Sequence, residues 1–145
     1  MKPEVDQILG LTAAQLLAEI APLLPASYAQ SSTGLLSIML VFCAQEFDRA
    51  ADIRAAENAD MRRLVGELAA FVGDAALKTK ITAASKSTDA SLRISDLNAA
   101  NYELRRLLIA LQSHFEDNDA RDAQAKIWLV LKTSAERRLL KLPGA

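Results

Sequence analysis

A chain of 145 residues that is 51% hydrophobic and 24% charged has the apolar mass for one domain with a real core, which excludes overall disorder. Its 17 basic and 18 acidic residues leave a formal net charge of -1, which excludes a global attraction to nucleic acid or to an anionic membrane surface. Aromatic residues are only 5%, alanine and leucine are abundant, and no long alternating run occurs, so packed helices are favoured over sheets.

The first residues, Lys2 to Asp6, place acidic groups where a secretory signal needs positive charge, and no long apolar run follows. Pro3 suits the first turn of a short helix and Gly10 its stop. Thr12, three positions before Gln15, has the spacing of a capping box. It predicts a second start, with Leu16, Leu17 and Ile20 in the helix and Pro22 and Pro25 ending it. Ser27 and Gln30 repeat the capping-box spacing ahead of the next helix, with Thr33 as an alternative start.

From Leu35 to Val72 the chain carries apolar residues at helical spacing without a proline. Leu35, Met39, Phe42, Ala50, Ile53, Met61, Leu64, Leu68 and Phe71 follow one face, and Leu36, Leu40, Cys43 and Phe47 cover the neighbouring side of the first half. A helix that is apolar over most of its circumference needs other helices or a partner chain around it. Its most apolar window, Leu35 to Ala44, falls far short of the ~20 residues that span a bilayer, so no membrane insertion is expected. Asn58 to Asp60 offers a break with Asp60 as a new N-cap, but nothing there forbids one continuous helix, which is the expectation, with Gly73 as its stop.

Lys78 to Ser91 is rich in Lys, Ser and Thr with Ile81 as its one large apolar residue, and it reads as a connection with a helical piece on the surface. Leu92 to Glu116 is helical, with Leu97, Leu104, Leu107, Leu108, Leu111 and Phe115 on one face. Asp117 to Asp119 forms a turn in which Asn118 or Asp119 caps the last helix. That helix runs from Ala120 to about Leu140 with Ala123, Ile127, Val130 and Leu131 inward, before Pro143 and Gly144. The fold class that follows is all-α: a single-domain antiparallel helical bundle over residues 1–145, with about four main helices and a short N-terminal one.

Familiar catalytic and cofactor motifs are absent. His114 is the single histidine, and no Glu-x-x-His, His-Glu-x-x-His or Cys-x-x-Cys occurs; neither does a Gly-rich phosphate loop or a Gly-x-Ser-x-Gly elbow. No metal, cofactor or catalytic residue is therefore expected. His114 reads as a partly exposed side chain at a helix C-terminus. Cys43, the lone cysteine, reads as a buried thiol in a reducing, cytoplasmic protein. The pairs Arg62–Arg63, Arg105–Arg106 and Arg137–Arg138 read as solvated faces, since acidic residues intersperse them and no aromatic residues accompany them.

Polar residues on apolar faces carry more information. Glu46, Arg49 and Glu57 on the long helix, with Asn101 and Arg105 on the Leu92–Glu116 helix, compose a candidate polar cluster between two helices. Its plainer role is an ion-pair network that sets helix register. The alternative is a pocket for a small ligand, floored by Phe42, Phe47 and Leu108 and gated by Glu46, Arg49 and Asn101. The apolar excess at Leu35–Ala44 and Ile127–Leu131 predicts a homodimer, with Leu36, Leu40, Phe47 and Trp128 as candidate interface residues. The function expected is a non-enzymatic helical protein that works through self-association and an unidentified protein partner, without nucleic acid.

Overall fold

The computed structural model describes residues 4–26 and 28–142; 83% of it is helical, with no strand among the described residues. The protein is an all-α helical bundle, as its composition requires. The start and stop signals at Pro3, Ser27, Pro143 and Gly144 lie outside the described residues. In order, the α-helices are α1 (Val5–Gln15), α2 (Tyr28–Leu68), α3 (Ala75–Ser85), α4 (Ile94–Asp117) and α5 (Arg121–Arg137).

Helix α1 runs through both signals expected to divide it. Gly10 lies inside it, and the Thr12 hydroxyl, instead of capping a new start, donates to the Ile8 carbonyl at 2.8 Å. A π-helical turn, Leu16–Ile20, and a 3-10 turn, Ala21–Leu23, follow. Pro22 explains the change of winding, because it has no amide proton and its ring crowds the carbonyl four residues back. Helix α2 is unbroken past Asn58 and Asp60, as expected, and ends in a 3-10 turn, Ala69–Phe71, with Val72 already extended.

The chain divides into two compact units, Met1–Ala50 with Leu140–Ala145, and Ala51–Leu139. In the first, the Gln30 amide donates to the Ala21 carbonyl at 3.2 Å. The Gln45 amide grips the backbone of Lys141 from both sides, donating to its carbonyl at 2.8 Å and accepting from its N–H at 2.9 Å. This unit buries little. Among its described residues the only fully buried apolar side chains are Ala13 and Ala21, and Ser37 is buried with its hydroxyl donating to the Thr33 carbonyl.

The second unit has a conventional core. Met61, Leu64, Val65 and Leu68 of α2 pack with Leu104, Leu108, Leu111 and Phe115 of α4, Ile81 of α3 and Ile127 of α5. Leu97 and Ile53 are buried as well, whereas Phe71, expected on the same face, is exposed beyond the end of α2. The connection expected at Lys78–Ser91 is shorter: the helix reaches Ser85, because the Asp74 carboxylate caps the Leu77 amide at 2.7 Å and Ile81 anchors the helix in the core. Gly66 lets it approach α2, since a Cβ there would stand 3.2 Å from the Ser85 Cβ. Between α4 and α5 neither Asn118 nor Asp119 caps the last helix. They close the preceding one instead. Asp119 takes φ 49°, and the amides of Asp119 and Ala120 bond back to the carbonyls of Glu116 and Phe115 in a Schellman motif.

Candidate functional site

Helical periodicity sets the polar residues of the second unit against each other. On α2, Glu57 and Asn58 fall between Ile53 and Met61, so the turn that belongs to the core carries a carboxylate and an amide, both fully buried. On α4, Asn101 falls between Leu97 and Leu104 and is buried too. The Asn101 amide nitrogen donates to Glu57 Oε2 at 3.1 Å and to Asn58 Oδ1 at 2.9 Å, and its Oδ1 accepts from Arg105 Nε at 2.8 Å. The Asn58 nitrogen in turn donates to Asp89 Oδ1 and to the Leu97 carbonyl.

Arginines close the network at each end. Arg138 grips Glu57 through Nε, at 2.5 Å from Oε1, and through Nη2 on Oε2, while Arg105 Nη2 stands 3.6 Å from Oε2. Arg62 holds Asp89 with two bonds, 3.1 and 2.6 Å long, and Arg137 and Arg63 share Asp60. One turn earlier Arg54 Nε donates to Asn98 Oδ1 at 3.0 Å. The charges follow from this arrangement. Burial pushes the Glu57 carboxyl up, but the bond and charge of Arg138, with Asn101 and Arg105, outweigh it and hold Glu57 below the ordinary range. Burial likewise raises Asp60 and is overcome by Arg63 and Arg137. Asp89 is lowered by its Arg62 bond against the cost of burial.

Three of the five residues expected to cluster, Glu57, Asn101 and Arg105, are thus brought together. Glu46 and Arg49 lie in the first unit, about three and two turns before Glu57 on α2. The partners that sequence reasoning missed are Asn58, Asp89, Arg62 and Arg138. Asn58 lies on the core face, where its amide reads in the sequence only as a helix break. The arginine pairs are not simply solvated, because Arg138 turns inward to the buried Glu57 and Arg62 to the half-buried Asp89. With both Glu57 oxygens taken by Arg138 and Asn101, the network's chemistry is that of a clamp joining α2, α4 and the end of α5.

The expected ligand pocket takes a different form. Leu108 lines an open groove of about 330 Å³ between α4 and α5, whose other apolar walls are Ile109, Ile127, Trp128 and Leu131. Phe42 and Phe47 lie in the first unit, and Asn101 is sealed in the clamp. His114 is half-exposed and meets Phe115 edge-on, with ring centroids 5.4 Å apart. Among the described residues no group of three or more His, Cys, Asp or Glu is placed to hold a metal ion, and no helix is long and apolar enough to cross a membrane.

The candidate interface residues are open. Leu36 is 54% exposed, Phe47 58% and Trp128 65%, and Leu40 is half-buried. Leu35 and Met39, on the stripe expected to need cover from other helices or a partner chain, are exposed too. One expectation is corrected beside them: the Cys43 thiol is exposed, although the sequence reads it as buried. The first unit buries few apolar side chains, and among its described residues this side of α2 stays open. At 100° per residue Leu35, Met39, Cys43, Leu36, Phe47 and Leu40 span about 140° of the helix, so they form one face. Comparison of the chain with family models, curated proteins and solved structures gives no match.

Proposed function

We propose that this protein acts by holding protein partners, a second copy of itself first among them, through the open apolar face of α2 between Leu35 and Phe47. It is a non-enzymatic interaction protein of the cytoplasm, where a lone exposed thiol stays reduced. The observation that carries this reading is the exposure of Leu35, Leu36, Met39 and Phe47 on one helical face. From Tyr28 to Gln45 the sequence has no charged residue, and Glu46, beside Phe47, is the one ion on the face, so docking over most of it strips water from no charge. Each Leu, Met or Phe moved from water into a contact contributes ~1.5–3 kcal/mol, and a patch of several is the usual mark of an interaction surface.

Sedimentation velocity across a micromolar range tests the reading. Wild-type protein is expected to self-associate with rising concentration, and Leu36→Asp with Phe47→Asp to shift the equilibrium toward smaller species with helicity intact. A wild-type chain that stays monomeric throughout refutes self-association.

A further inference from the structure

A second helical stripe lies in the other unit. Tyr102, Arg105, Ile109, Gln112 and Glu116 follow one another on α4 at spacings of three, four, three and four residues, the rhythm of the seam of a coiled coil. They are not core residues: Tyr102 is 64% exposed and Ile109 68%, and Glu116 is exposed. Four of the five line the groove between α4 and α5, where Trp128 stands on the opposite wall.

The charges on this stripe are complementary to themselves. Arg105 stands near one end, its inner edge on Asn101 and Glu57 and the rest of its side chain 34% exposed, and Glu116 stands at the other, accepting from Gln112, with Ile109 between. When two copies of α4 lie antiparallel about a two-fold axis, the seam positions pair crosswise. Ile109 then meets Gln112 of the second copy, and the same register sets Arg105 against the partner's Glu116 twice over. A parallel pairing sets like charges together at both ends. An isologous contact requires a patch that fits itself, and this one does so in one orientation only.

We propose that the α4 stripe is a second self-association surface, on which α4 of another copy seats antiparallel in the groove beside Trp128. This contact is separate from the α2 face and does not depend on it. If both faces pair, each copy has two different two-fold contacts, and assembly proceeds beyond the dimer.

Two measurements decide it. In the Leu36→Asp, Phe47→Asp chain, which lacks the α2 contact, sedimentation still shows concentration-dependent association, and Glu116→Arg added to it weakens that association about tenfold or more. In chains carrying Cys43→Ser, mixing equal amounts of Ile109→Cys with Gln112→Cys under mild oxidation gives the mixed disulfide well above the twofold excess over either like pair that random pairing produces, with circular dichroism confirming that both chains are folded. Monomer at all concentrations in the α2-face variant, or a mixed disulfide at no more than twice the amount of either like pair, overturns the proposal. A variant that associates as strongly as wild type overturns the α2 reading and leaves this one standing.

Discussion

Glu57 shows how much one residue decides. A carboxylate with no exposed surface costs several kcal/mol unless it is paired, and here Arg138 and Asn101 supply the pairing. Arg138→Met is therefore expected to destabilise the fold by about 3 kcal/mol, because it strands the charge. Adding Glu57→Gln to that variant recovers part of the loss, as chemical denaturation will show. The clamp also sets the response to acid. Glu57, Asp60 and Asp89 have folded pKa values below their unfolded ones, so their contribution is full above the ordinary carboxylate range near ~4 and is lost as pH falls through the depressed values. Thermal unfolding followed below pH 5 is expected to show this loss, and Glu57→Gln to flatten it. The sequence revealed the tension at Glu57 and Asn101, polar groups on apolar faces, but not its resolution. Arg138 lies 81 positions from Glu57, and no local pattern announces a bond over that separation.

Among the elements, strong periodicity proved the most readable signal. The long uninterrupted α2 and the inward faces of α4 and α5 could be read directly from apolar spacing. Weak punctuation was less readable. Gly10 did not stop α1, since one glycine costs a helix only ~1 kcal/mol and the flanking residues continue it. The Lys- and Ser-rich stretch after Asp74 still formed α3, because an N-cap and one buried isoleucine were enough. The turn after α4 illustrates the same competition and offers a test. Asp119 occupies a left-handed conformation that suits glycine better. Asp119→Gly is expected to raise stability by about 1 kcal/mol, read as a higher denaturation midpoint with unchanged slope. Its surface pair with Arg121 is worth little against that gain.

For the molecule as a whole, the two units differ in how they use apolar residues. Residues 51–139 enclose a core of Leu, Ile, Val, Met and Phe, with a buried polar clamp beside it. The part before Ala51 is the more apolar along α2, yet leaves Leu35, Leu36, Met39 and Phe47 uncovered. Helical spacing in the sequence showed that this segment needed a cover. It did not show whether that cover came from the same chain, because periodicity reports a face and not its occupant. The account's central claim is that another protein molecule supplies the cover. Cys43 sits in the middle of the face and is the chain's only thiol, so its reactivity reads the claim directly. The rate of Cys43 alkylation by a maleimide is predicted to be fast in dilute protein and to fall severalfold as concentration rises through the association range. The Leu36→Asp, Phe47→Asp chain is expected to stay fast throughout. A wild-type rate that is the same at every concentration would contradict the account.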